Sequence, residues 1–276
     1  MSVTKTANEA SVLKRMASIL NLFSEGRTSI TIDEVGEAIG VSPATAYRYV
    51  GELGGIGLLS RVSGRYVLGP KIIELEYLIR SYDPVIKSGE EIMTGMADMT
   101  GCHVLLCNMY DETVVNVFHA EGKDSLKVTF TKGKQMPLFR GSQARVILAS
   151  LDRRKLRRLY DKHLGNPDLM TIGRDWPSFR TELQRVRRQG YYVSRDELDP
   201  DTTGIAAPVF NENNEVLGSL VLVFVSSRTP WLSETALVQI VVENAREISR
   251  RVASLAECPT DTRSVDGSKR LKTKER

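Results

Sequence analysis

The chain has 276 residues, 26% of them charged and 41% hydrophobic, which suits about two globular domains and excludes a disordered or collagen-like protein. Its three cysteines, Cys102, Cys107 and Cys258, show no framework spacing, which argues against a disulfide-stapled secreted domain. The net charge of +4 is thinly spread: residues 1–80 carry nine Lys/Arg against eight Asp/Glu, residues 81–257 carry 23 of each, and residues 258–276 carry six against three. Bulk charge is therefore a weak argument for a nucleic-acid partner.

No apolar run reaches the roughly 18–20 residues that span a bilayer, and no apolar stretch follows basic residues near the N-terminus. A cytoplasmic protein without membrane contact is expected. In chain order, Val12, Met16, Ile19, Leu20 and Phe23 fall at helical spacing over Ser11–Ser24, with Gly26 as the stop. A second helix carries Ile32, Val35 and Ile39 and ends at Gly40. Ser42-Pro43 starts a third: Ser42 can cap free amides, and Pro43 suits the first helical position because the N–H it lacks has no partner there. One face of that helix holds Ala46, Tyr49, Val50 and Leu53; the other holds Ser42, Ala44, Thr45, Tyr47, Arg48 and Gly51. Leu58–Val62 and Arg65–Leu68 read as strands joined by the two-residue turn Ser63-Gly64.

Helix, helix, tight turn, helix and hairpin is the plan of a winged helix-turn-helix. A major groove about 12 Å wide admits one helix and is read by the side chains on its outer face. Thr45, Tyr47 and Arg48 suit that task, with Ser42 and Ala44 beside them; Arg61 and Arg65 on the hairpin suit the DNA backbone or minor groove. The alternative is a small helical domain that docks on another protein. The expected divisions are 1–68 for this domain, 69–83 for a linker helix broken by Asp83-Pro84, 84–257 for a second domain, and 258–276 for a disordered basic tail.

Beyond the break the pattern predicts a helix over Val85–Met99 and strands at His103–Met109, Thr113–His119 and Leu126–Thr131. Helices follow at Ser142–Ser150, after Asp152 and after Asp175, with residues 163–174 as loop. Strands at Tyr191–Arg195, Gly204–Phe210 and Glu215–Val225 precede a final helix capped by Ser233. Helices alternating with hairpin-linked strands imply an α/β domain with a mainly antiparallel sheet. Cys102, His103, Cys107 and His119 read as packed strand residues rather than metal ligands, since no CxxC or HxxxH pair supports a site. No phosphate loop, dinucleotide fingerprint or Ser-His-Asp set is present, so neither a cofactor nor catalysis is expected.

Val12-Leu-Lys-Arg with Ile19-Leu, Ser42-Pro-Ala-Thr-Ala-Tyr-Arg48 and Gly64-Arg-Tyr-Val-Leu-Gly69 resemble the IclR family of bacterial transcription regulators. So do Pro137-Leu138, Ala144–Ala149, Gly190-Tyr191 and Gly204-Ile-Ala-Ala-Pro-Val209, in this order. The resemblance covers roughly residues 11–255. It implies a GAF-like effector domain, dimers or tetramers, and binding to palindromic operator DNA. It places the effector between the helix start at Ser142-Gln143 and strand positions Ser194, Gly204, Val221 and Val223.

Family members that bind small oxoacids have Gly-Ala at the first pair. They have an acidic residue, a cysteine and two serines at the other four positions. Losing those polar groups predicts a larger or more apolar effector, an aromatic or branched carboxylic acid. Arg140 and Arg145 flank the site, as surface arginines or as carboxylate partners. The acidic loop Asp196, Glu197, Asp199 and Asp201 reads as solvated surface, or as a lid or counter-charge to Arg140. The resemblance to GAF domains also admits a cysteine-based reductase, which needs a reactive thiolate.

Overall fold

The computed structural model describes residues 12–123, 129, 131–227 and 233–257, which form two compact units dividing between Asp83 and Pro84. The first unit opens with α1 (Val12–Leu20), α2 (Ile32–Ile39) and α3 (Pro43–Gly55), then the antiparallel hairpin β1 (Leu59–Val62) and β2 (Arg65–Leu68), then α4 (Pro70–Tyr82). The first helix is shorter than its periodicity predicts. Asn21 and Leu22 donate to the carbonyls of Ser18 and Ile19 three residues back. That tightened turn ends α1 before Ser24, while Leu22 and Phe23 still pack on the core.

α2 is fixed by a reciprocal cap: the Thr31 N–H donates to Glu34 Oε2 at 2.6 Å, and the Glu34 N–H donates to Thr31 Oγ1 at 3.3 Å. Gly40, at φ +66°, closes α2 in the left-handed conformation that glycine adopts freely. The chain re-enters helix at once, with Ser42 Oγ accepting the Thr45 N–H and Pro43 in the first turn. Ala46, Tyr49, Val50 and Leu53 then pack against Ile19, Ile30, Val35 and Leu59. Ile30 and Tyr66 exchange backbone hydrogen bonds of 2.8 Å, tying the approach to α2 onto the hairpin.

The second unit is a six-stranded antiparallel sheet in the order β5-β4-β3-β8-β7-β6. Its strands are β3 (His103–Tyr110), β4 (Thr113–Ala120), β5 (Gln135–Met136), β6 (Tyr192–Arg195), β7 (Thr202–Phe210) and β8 (Val216–Val225). α5 (Pro84–Thr100) and α10 (Glu234–Glu257) cover one face. α6 (Ser142–Ser150), α7 (Arg153–Lys162), α8 (Pro167–Ile172) and α9 (Trp176–Gln189) belong to the other. The two-residue alternation of a strand sorts the side chains: Val104, Leu106, Ile205, Leu220 and Leu222 go to the first core, and Leu105, Ala206, Val221 and Val223 to the second. With both faces covered, the strands read as nearly continuous apolar runs.

One expectation is corrected. Residues 163–174 are not all loop, because Asn166 caps the short helix α8, whose Leu169 and Ile172 are buried. On the side away from β3, β4 pairs with β5, only two residues long and too short to show a period. Most of the expected strand Leu126–Thr131 and the expected tail 258–276 lie outside the described residues.

Glu34 links α2 to the hairpin. Its carboxylate pairs with Arg65 at 3.1 Å and Arg27 at 3.6 Å. Its pKa is lowered first by the Thr31 amide and, among the charges, by those two arginines. A lowered folded pKa contributes stability that is present at neutral pH and lost as pH falls through that folded value. The stability gap between wild type and Glu34→Gln should therefore be largest near pH 7 and shrink below the ordinary glutamate range; thermal unfolding across pH 3–7 reads this, and a pH-independent gap contradicts it.

Candidate DNA-reading helix and effector cavity

α3 has one side in the core and the other in solvent. Ser42, Ala44, Tyr47 and Arg48 are exposed and Thr45 is half-buried, its hydroxyl 3.0 Å from Ser42 Oγ. Ala44 and Arg48 lie opposite Ala46, Tyr49, Val50 and Leu53, Thr45 and Tyr47 flank that buried face, and Ser42 caps the helix start. Tyr47 is 61% exposed, unusual for a large ring with a core alongside. The Arg48 guanidinium carbon lies 5.4 Å from the Tyr49 ring centroid, which steadies its stem.

On the hairpin, Arg61 is exposed. Arg65 is engaged: its Nε donates to Ser29 Oγ at 2.8 Å and its Nη2 donates to Glu34 Oε2 at 3.1 Å. Ser63 and Gly64 at the turn have φ of +49° and +82°, the left-handed pair of a tight hairpin.

In the second unit the six positions Ser142, Gln143, Ser194, Gly204, Val221 and Val223 line one cavity. The register explains it. Ser194 is opposite Gly204 and Gly204 is opposite Val223, so three adjacent strands present these positions side by side. The start of α6 lies against them: a Cβ on Gly204 would fall 2.9 Å from Ser142 Oγ and 3.0 Å from Ser194 Oγ. A side chain at 204 would fill the space, so the glycine is what leaves it open.

Leu105, Met136, Leu198, Asp199 and Thr202 complete the wall. Of these, Leu105 was legible from strand alternation, since it shares a sheet face with Val221; the loop residues carried no such signal. The cavity measures about 30 Å³, room for little more than a water on a scale where one needs roughly 10–15 Å³.

The acidic loop is tied down through Glu197, Asp199 and Asp201, while Asp196 and Asp201 remain exposed. Glu197 accepts the Gly141 N–H at 2.9 Å and the Tyr192 hydroxyl at 3.1 Å, and pairs with Arg145 at 3.7 Å. Asp199 accepts the Thr129 N–H, and Asp201 accepts the Ser227 N–H. Arg145 is not a surface arginine: it is only 5% exposed, donates to Thr171 Oγ1 at 3.2 Å and lies 5.4 Å from the Tyr192 ring centroid. The reason is that α6 is covered on all sides, with residues 142–149 all buried, so any side chain on it is carried inward. Burial, more than the neighbouring charges, pushes the Tyr192 phenol above its usual range. Arg140 remains exposed, with Asp168 at 4.0 Å.

Cys107 is fully buried, and desolvation pushes its thiol up to about 12, against a smaller opposing effect of the neighbouring Ser219 hydroxyl. Such a thiol holds almost no thiolate at neutral pH, the opposite of what reductase chemistry needs. His103 Nδ1 and His119 Nε2 are 3.0 Å apart, and no group of three metal-ligating side chains occurs among the described residues.

The family model of the IclR helix-turn-helix domain matches residues 12–63, and that of the bacterial transcriptional regulator IclR C-terminal domain matches residues 79–250. The chain belongs to the IclR family. It is 28% identical to the transcriptional regulator KipR of Bacillus subtilis over 251 residues, 87% of this chain and 96% of that one. It is 24% identical to KdgR of Dickeya chrysanthemi over 248 residues, 89% and 81% of the two chains. An IclR regulator from Alicyclobacillus acidocaldarius has the same architecture, with a TM-score of 0.72 at 27% identity over 87% of this chain and 98% of that one.

An IclR homologue of Microbacterium hydrocarbonoxydans, in complex with 4-hydroxybenzoate, superposes with a TM-score of 0.72 at 20% identity, covering 87% and 98%. This IclR-family chain is thus a transcriptional regulator with a helix-turn-helix DNA-binding domain and a C-terminal effector-binding domain. No helix among its described residues is long and apolar enough to cross a membrane.

Proposed function

We propose that this protein is a one-component cytoplasmic regulator in which α3 enters the major groove of a palindromic operator and the cavity at the head of α6 takes a small carboxylic acid. The observation that carries the first part is the unoccupied outer face of α3. Arg48 grips guanine O6 and N7, Thr45 and Tyr47 contact base edges or phosphate, and Ser42 and Ala44 bring the helix start against the backbone. Arg61 meets phosphate from the hairpin. Arg65, already held by Ser29 and Glu34, positions the hairpin.

Two copies reading two half-sites need a pairing surface. α4 supports one, for it buries no residue within its own unit and leaves Ile73 74% exposed, with Tyr77 on the same side one turn on. Half-site centres then fall about 34–36 Å apart or at a multiple of that spacing.

For the effector, a carboxylate at the first turn of α6 meets free amide dipoles and the Ser142 hydroxyl. The apolar body faces Leu105, Val221 and Val223. That division favours an aromatic or branched acid over a small oxoacid, and the ligand-bound Microbacterium homologue is a precedent for an aromatic acid in this architecture. At about 30 Å³ the closed cavity is far below the roughly 300–1,000 Å³ of ordinary ligand sites. Entry therefore requires the loop carrying Leu198 and Asp199 to move outward. The effector changes operator affinity only through its different affinities for the DNA-bound and free forms.

Two results test this. Arg48→Ala should weaken binding to the protein's own upstream region roughly ten- to a hundredfold with the oligomeric state unchanged; normal affinity in a gel shift contradicts the assigned reading face. Isothermal titration should show benzoate or 3-methylbutanoate binding to the full chain and lost in Gly204→Val; tight glyoxylate binding with no response to either acid contradicts the effector class.

A further inference from the structure

Where β6 stops, the sheet keeps an open edge. β6 pairs with β7 only as far as Tyr192 opposite Ala206, so among the described residues Ala207–Phe210 has β8 on one side and no strand on the other. A groove of about 600 Å³ runs along this edge, lined from α6 and α9 on one side and from α10 on the other. That volume falls within the usual range of small-molecule sites, and none of its lining is shared with the cavity at the head of α6.

An open edge ordinarily invites another strand. This one is blunted. N–H groups alternate in direction along a strand, and on the side away from β8 they belong to Pro208 and Phe210. Pro208 has none, and Phe210 already donates to Ser249 Oγ at 3.0 Å. An added strand would find no backbone donor here.

The groove wall is apolar where Ala149, Val186, Val242 and Ala253 line it. Basic side chains come from both sides: Arg187 from α9, Arg246 and Arg250 one turn apart on α10. Arg250 is paired with Glu247 at 2.7 Å. Among the described residues neither Arg187 nor Arg246 has an ion-pair or hydrogen-bond partner. The one carboxylate in the lining is Glu212, which accepts from Asn213 Nδ2 at 3.2 Å. With Arg250 already paired to Glu247, the two remaining guanidinium groups, Arg187 and Arg246, face one carboxylate over an apolar floor and select an anion that carries hydrocarbon. The sequence after α10, residues 258–276, has six Lys/Arg against three Asp/Glu, the wrong sign to fill it.

We infer that this groove is a second ligand site for an amphipathic organic anion, whose carboxylate or sulfonate sits between Arg187 and Arg246 and whose apolar body lies against Val186, Ala149 and Ala253. A molecule held there bridges helices from opposite faces of the sheet. It gives the regulator a second input, independent of Gly204. The site does not depend on the DNA-reading assignment.

The test uses the full chain with octanoate and 2-naphthalenesulfonate as probes and neutral octanol as the charge control, read by isothermal titration. Both anions should bind, at least tenfold more weakly to Arg187→Gln/Arg246→Gln, and not at all to Ala253→Trp, which fills the groove. Gly204→Val should leave their binding unchanged. Far-ultraviolet circular dichroism and light scattering check the fold and the oligomeric state of each variant. The inference is overturned if neither anion binds, if octanol binds as well as octanoate, or if binding survives the arginine variant while Gly204→Val removes it. A change of oligomeric state in Ala253→Trp overturns it too, by making the groove a contact between copies of this chain.

Discussion

The burial of Ala46, Tyr49, Val50 and Leu53 along one side of α3 is the constraint on which the DNA-reading half depends. A helix of this length is marginal alone in water; it persists because one face is docked. That docking settles which side chains remain outside. The caps make the docking repeatable: Gly40 ends α2 in the left-handed conformation, and Ser42 with Pro43 restarts the chain two residues later. Glu34 closes the same arrangement from beneath, holding Arg65 and Arg27 while capping α2. A side chain that joins cap, helix and hairpin couples the position of α2 to that of the hairpin.

The sensing half rests on a different device, the absence of a side chain. Ser142 and Ser194 close in on Gly204 to where a Cβ would stand. The small cavity is a defect left in a two-layer core by one glycine. The loop above it is held by named bonds, Glu197 to Gly141, Tyr192 and Arg145, and Asp199 to Thr129. Its opening means breaking those contacts, so a ligand that opens it works against a defined set of interactions. Each of these involves a charged group, and charge-assisted bonds of this kind are the stronger ones.

What was legible in the sequence follows from which physics is local. The start of α3 is a contiguous signal, Ser42-Pro43 after Gly40, and needs no knowledge of the rest of the chain. Long strands such as β7 and β8 are also legible, as apolar runs. The six cavity positions came from resemblance, because their meeting depends on strand register, which no single segment carries.

The sequence leaves Arg145 open between a surface arginine and a carboxylate partner, because charge is a good guide to exposure only when a helix has an open side, and α6 has none. α8 was missed because six residues hold too few apolar positions for periodicity, although Asn166-Pro167 is a legible helix start. The open edge beside Pro208 was beyond reach, since it exists only because β6 begins no earlier than Tyr192.

The central claim is that the outer face of α3 lies in the major groove, and guanine reactivity at N7 reports on that groove directly. Dimethyl sulfate footprinting of the full chain on its own upstream DNA should show two symmetric patches of protected guanines, their centres about 34–36 Å apart or at a multiple of that spacing. Tight binding that leaves every guanine N7 as reactive as in free DNA would contradict the account.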